Sequence, residues 1–148
     1  MGFFSKLKLA HQMTSALTKA TFERDDSMNK AKEFKNTLAR LQSMEIEMSC
    51  QSCSDAGLNP VLSTLRSTIT ICKDTVSAYE VAAGVSQASI NAIDAWTETY
   101  DMKMVEQTLE ASALAITRAQ KFHVDGANLL KRFQTEVMAY SRSALKLV

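Results

Sequence analysis

The sequence predicts an all-α fold, an elongated antiparallel bundle of four or five helices, and three observations predict it. Apolar and small residues recur every third and fourth position from Val105 through Leu109, Ser112, Ile116, Ala119, His123, Gly126, Leu130, Phe133, Val137, Tyr140 and Ala144 to Leu147. That 4-3-4-3 spacing is the period of a helix seam packed on other helices. Residues that break regular elements are scarce, with one proline and four glycines in 148 residues. Helix-favouring Ala, Met, Leu, Lys, Glu and Gln are frequent, and β-branched and aromatic residues never alternate as they do in strands. The length suits a single domain, 1–148, large enough to bury a core without staples.

The first predicted helix covers 1–24. Phe3, Phe4, Leu7, Ala10, Leu17 and Phe22 fall on one side and Ser5, Lys8, Gln12 and Lys19 on the other, which makes it amphipathic. Asp25-Asp26-Ser27 offers side-chain oxygens that can cap a new helix, with continuation through the aspartates as the alternative. A helical hairpin is expected over 27–83. Its first arm carries Met28, Ala31, Phe34, Leu38, Leu41, Met44 and Met48. Gly57 in a left-handed stop, Leu58 behind it, Asn59 as N-cap and Pro60 at the first helical position mark the turn. The second arm carries Leu62, Leu65, Ile69, Cys72, Val76, Tyr79 and Ala83. Gly84 can end it, and Ser86 can cap the next helix.

The remainder, 86–147, reads as one long or once-broken helix. A first stripe, Ile90, Ile93, Thr97, Tyr100 and Met104, is one residue out of step with the stripe from Val105. This implies a break near Tyr100–Lys103 or a change of partner face. Asp125-Gly126 is a second candidate break, but the phase survives across it and a mid-helix glycine costs only about 1 kcal/mol, so continuity is expected.

The net charge of +1 supplies no global field towards nucleic acid. The charge is unevenly placed. Residues 1–24 hold four cations against one anion, residues 121–148 five against two, and residues 86–120 two against five. No apolar h-region follows the N-terminal lysines, and the longest uncharged stretch, Val81 to Ile93, is too short and polar to span a bilayer. Three cysteines without secretory context suggest a reducing interior. The expected location is cytoplasmic, with attachment to the periphery of a membrane as an extension of it.

No catalytic set is legible: there is no nucleophile elbow, phosphate loop or HExxH pattern, and no enzyme is expected. Nucleic acid is also excluded as a partner, because Lys131, Arg132, Arg142 and Lys146 are few and lack interleaved stacking aromatics. Cys50-Gln-Ser-Cys53 is the one match to a chemical motif. Zinc needs four ligands, and no second close pair of Cys or His exists. A redox reading would need a preceding strand. Cys50 and Cys53 are therefore read as packing residues near Leu65 and Leu62, and no metal or cofactor is expected. His123 lies on the seam and is read as a core residue; His11 is the other histidine.

The most suggestive segment is Met1-Gly2-Phe3-Phe4-Ser5-Lys6-Leu7-Lys8. Phenylalanines at the end of a basic amphipathic helix can enter a bilayer interface while lysines meet anionic head groups. This opening resembles that of the phage-shock and ESCRT-III-like membrane-remodelling family. The rest of the chain departs from that family's hairpin in length, charge and the loop at Gly57–Pro60. An N-myristoylation pattern fails because Lys6 stands where Ser or Thr is needed.

The membrane or partner contact is thus assigned to Phe3, Phe4, Leu7, Lys6, Lys8 and Lys19, unless the phenylalanines pack on the other helices. The helix–helix seam is assigned to Leu109, Ile116, Leu130, Phe133, Val137 and Tyr140. The expected function is a non-catalytic helical scaffold. It self-associates or docks through helix faces, with membrane attachment through the first helix. The alternative is a small soluble binding module, such as an inhibitor, adaptor, chaperone or immunity-type protein, gripping another protein in water.

Overall fold

The computed structural model describes residues 2–146. Three α-helices account for nearly all of them: α1 (Phe3–Ser52), α2 (Asn59–Thr99) and α3 (Met102–Lys146). A single 3-10 turn, Ala56–Leu58, lies between α1 and α2. No strand occurs among the described residues.

The helix count corrects the expectation of four or five. The chain does not break at Asp25-Asp26-Ser27, because those residues satisfy their side chains inside the helix. Asp26 pairs with Lys30 one turn on at 2.9 Å, Asp25 accepts from Arg24, and Ser27 is buried. Gly84 does not end α2 either, and Ser86 is a buried interior residue rather than a cap. α3 is continuous through Gly126, and the expected break near Tyr100–Lys103 falls at Tyr100–Asp101.

Burial in all three helices recurs at heptad spacing. In α3 the fully buried positions are Val105, Ser112, Ala119, Gly126 and Phe133, each seven residues from the last. In α1, Met13, Ala20, Ser27 and Leu41 are buried and Phe34 and Met48 half-buried at the same interval. α2 is buried on a broader face, at Val61, Leu62, Leu65, Thr68, Ile69, Cys72, Thr75, Val76 and Tyr79, continuing through Ala82, Ala83, Ser86, Ser89, Ile90, Ile93 and Trp96. Five hydroxyls lie on that face. Thr64, Thr68, Thr75 and Ser89 donate to the carbonyl four residues earlier, and Ser86 shares a hydrogen bond with Ser112. Each buried hydroxyl is thereby satisfied at modest cost to helix geometry.

The chain divides into two compact units. The first comprises Met1–Ala31 and Ala78–Ala119. Its core is Met13, Ile93, Trp96 and Val105, with Leu9, Ala16, Leu17, Met102 and Leu109 packed around them. Arg24 donates to Gln87 at 2.8 Å, and the Lys30 ammonium lies 5.7 Å from the centre of the Tyr79 ring. Higher α1 numbers meet lower α2 numbers, so these segments are antiparallel. α2 and α3 are joined by Tyr100, whose φ of 54° is the left-handed conformation. For a non-glycine residue this costs roughly 1–2 kcal/mol. It is held by a hydrogen bond from its amide to the Trp96 carbonyl and by edge-to-face contact of the two rings at 5.5 Å. Asp101 then caps α3 by accepting from the Met104 amide.

The second unit comprises Lys32–Ser77 and Gln120–Val148. Its core joins Leu41, Val61, Leu62, Leu65, Ile69, Cys72 and Phe133, with Phe34, Leu38, Leu130, Val137 and Tyr140 against it. Arg66 reaches back from α2 to Glu45 and Ser49 of α1, again antiparallel. The turn between α1 and α2 is built differently from its sequence signature. No glycine has positive φ, and Asn59 is already helical. Asp55 does the capping: it is extended, and its side chain accepts from the Gly57 amide at 2.9 Å. The other oxygen of the same carboxylate accepts from the Tyr140 hydroxyl of α3. Ala144 and Leu147, the last two positions of the C-terminal stripe, lie outside the residues whose side chains are described.

Candidate functional site

In the first unit α1 packs through the face carrying Leu9, Met13, Ala16, Leu17 and Ala20, not through Phe3, Phe4 or Phe22. The predicted contact residues lie elsewhere. Phe3 is 73% exposed, Phe4 83% and Leu7 56%, and Phe22 on the same outer side is exposed too. Every described residue before Leu9 is exposed all round, so the first two turns have no covering neighbour. Phe3 and Phe4 touch only edge to face, with ring centres 5.7 Å apart. The local reason is composition. The packing face here approaches α2 and α3 with Met13, Ala16 and Ala20, which are flexible or small, and Phe3, Phe4 and Phe22 fall on the other side of the helix.

Lys6 and Lys8 sit on these uncovered turns and form no ion pair among the described residues. Lys19 is about three turns further along and is paired with Glu23 at 3.8 Å, a solvent-exposed contact of small energetic weight. The structure therefore brings Phe3, Phe4, Leu7, Lys6 and Lys8 together, and leaves Lys19 apart. Between Leu7 and Phe22 the outer side of α1 carries His11, Thr14, Ser15 and Thr18. Thr14 and Thr18 turn their hydroxyls to their own backbone.

Of the predicted seam residues, Phe133 is buried and Leu109, Ile116, Leu130, Val137 and Tyr140 are half-buried. Tyr140 is held protonated above the ordinary phenol range, first by its hydrogen bond to Asp55, then by desolvation and by the Asp55 charge. His123 is half-buried with its ring edge-to-face on Phe34 at 4.8 Å. His11 is exposed.

The cysteines correct the packing interpretation. Cys50, in the last turn of α1, and Cys53, just past its end, are both exposed, and only Cys72 is buried. Burial pushes the Cys72 thiol above its usual range. The sequence argument failed here because it placed the pair by counting back from the turn, without fixing which side of α1 would face α2. Among the described residues, no group of three or more His, Cys, Asp or Glu side chains converges within one chain.

A feature missed from sequence is a groove of about 490 Å3 between α1 and α3 in the second unit. It is lined by Met44, Met48, Phe133, Val137 and Met138, with Glu47, Gln51 and Gln134 at its rim. Methionines on both helices were the available signal, since an unbranched thioether suits an adaptable surface.

These observations define a class: an all-α protein of long helices with an uncovered aromatic and basic helix end. Among the described residues, no helix is long and apolar enough to cross a membrane. Comparison of the chain with protein families, characterised proteins and solved structures finds no match.

Proposed function

We propose that this chain is a non-catalytic helical scaffold that attaches to anionic membrane surfaces through the first two turns of α1. Its remaining helix faces are then presented to copies of itself or to another protein. The observation that carries this reading is the exposure of Phe3, Phe4 and Leu7 beside unpaired Lys6 and Lys8, on turns that support nothing in the core. Burying each such apolar side chain in an interface is worth roughly 1.5–3 kcal/mol. Each lysine near an anionic leaflet adds about 1 kcal/mol. Together these outweigh the immobilisation of one short segment.

Co-sedimentation with vesicles tests it. The wild-type chain should bind vesicles rich in phosphatidylserine, release them as salt is raised, and bind phosphatidylcholine vesicles weakly. Phe3→Ser with Phe4→Ser should abolish binding. A wild-type chain that ignores anionic vesicles at low salt would falsify the membrane reading and leave the soluble binding module. The Met44–Met138 groove favours that second reading, because it is an apolar, adaptable surface open to a partner helix.

A further inference from the structure

The outer stripe of α1 does not end with its first two turns. At 3.6 residues per turn, Phe4, Leu7, His11, Thr14, Thr18 and Phe22 fall within a sector of about 80°. Leu9, Met13 and Ala20, which face the core of the first unit, lie on the opposite side. All six residues of the sector are exposed. Phe22, at its far end, belongs to neither core cluster. An apolar ring on a soluble helix face costs free energy that a covering surface would recover. Rings therefore stand uncovered at both ends of a stripe about 27 Å long.

The residues between the rings are prepared for leaving water. Thr14 donates its hydroxyl to the Ala10 carbonyl and Thr18 donates to the Thr14 carbonyl, each at 3.0 Å. A hydroxyl already bonded to its own backbone escapes most of the penalty that desolvation imposes on an unpartnered one. The ends of the stripe also differ in charge. Lys6 and Lys8 lie beside the first rings without an ion pair among the described residues. Just beyond Phe22 come two carboxylates, Asp25 paired with Arg24 at 3.0 Å and Asp26 paired with Lys30 at 2.9 Å. Cations at the start suit an anionic surface, and carboxylates after Phe22 close the stripe there.

We propose that the segment Phe3–Phe22 lies flat along an anionic bilayer surface, with Phe22 as a second apolar anchor about five turns from the first. This rests on the membrane reading above and adds to it the length of the contact and the orientation of the segment. A contact made by Phe3, Phe4 and Leu7 alone leaves the tilt of the helix free. Anchors about 27 Å apart hold it parallel to the surface, with Leu9, Met13 and Ala20 turned away from lipid and still packed in the core.

The test measures partitioning of the full chain onto vesicles of phosphatidylserine and phosphatidylcholine at low salt. It is run at pH 8, above the range in which histidine side chains gain charge. The expected result is that Phe22→Ser weakens binding about tenfold or more, because a buried phenylalanine is lost from the interface. Its melting temperature should stay near that of the wild type, since the ring touches no core residue. A second pair of variants compares equal charge changes on two sides of the helix. Thr18→Glu, inside the sector, should weaken binding several-fold more than Gln12→Glu, which is exposed outside it. That comparison decides the matter even if Phe22→Ser proves unstable. Phe22→Ser binding like the wild type, or the two glutamate variants binding equally, would overturn the flat contact. If Phe3→Ser with Phe4→Ser still abolished binding in that case, attachment through the first two turns would stand alone. A wild-type chain that binds no vesicles would remove both.

Discussion

Ser86 of α2 and Ser112 of α3 share a 2.9 Å hydrogen bond where water reaches neither side chain. Each hydroxyl has its partner only because the other is present. Removing one strands the other, and a stranded buried hydroxyl costs about 1–3 kcal/mol. Ser86→Ala and Ser112→Ala should each destabilise the fold by that amount in urea titration. The double variant should lose much less than the sum, and strict additivity would show the pair to be energetically silent.

Gly126 separates helix propensity from packing. A Cβ placed there would meet Thr75 Oγ1 at 3.5 Å, Ile71 Cγ2 at 3.7 Å and Phe34 Cε1 at 3.8 Å, ordinary contact distances. Gly126→Ala should therefore stabilise the protein by up to about 1 kcal/mol through helix propensity. Gly126→Leu has no room for its further carbons and should cost about 1–3 kcal/mol by overpacking. Thermal melts of the two variants should move in opposite directions.

The first turns of α1 should be separable from stability. Phe3→Ser with Phe4→Ser removes side chains that touch no core residue, and should change the unfolding free energy by no more than about 0.5 kcal/mol per site. Met13→Ala, on the packing face of the same helix, should cost about 2–5 kcal/mol. Equal losses in chemical denaturation would place the phenylalanines inside.

Alkaline pH should destabilise the fold through two phenols. Tyr79 is raised chiefly by burial, with Lys30 lowering and Asp26 raising it, and Tyr140 chiefly by its bond to Asp55. A folded pKa above the unfolded one, near ~10, means the stabilisation is fully present below that value. It is lost as pH rises through the folded pKa, because the unfolded phenol ionises first. Tyr79→Phe with Tyr140→Phe should flatten the decline in melting temperature above about pH 10.

Thiol reactivity should follow exposure. Cys50 and Cys53 should react with a maleimide within minutes in the native protein. Cys72, buried and with its thiol pushed up, should react only on unfolding. A third equivalent taken up rapidly under native conditions would contradict the sealed core.

Much of this was readable from spacing, and the rest failed for local reasons. The stripe from Val105 to Phe133 was legible because every seventh residue is apolar or small, and small residues are tolerated where helices approach closely. The break at Tyr100 was legible as a phase shift. The α1 packing face was not, because Phe3, Phe4 and Phe22 dominate any count of hydrophobicity while Met13, Ala20 and Ser27 do the packing. The broad face of α2 was half legible, since Thr68, Thr75, Ser86 and Ser89 count as polar until their hydroxyls are seen turned onto carbonyls or each other. Asp25, Asp26 and Gly84 are stop signals only when the helix has nothing to gain by continuing. Here Ser27 and Ser86 beyond them are buried.

The antiparallel pairing of α1 with α2 also sets an order in time. The Arg66–Glu45 bond spans 21 residues of chain and the Arg24–Gln87 bond spans 63. Closing the longer loop from an open chain costs about 1 kcal/mol more in entropy. Once the contacts beside Asp55 are made, however, each next one closes only a short remaining segment. Folding of this pair should thus nucleate at the turn and zip outward along α1. The uncovered residues before Leu9, farthest from the turn, would order last and exchange their amide hydrogens first.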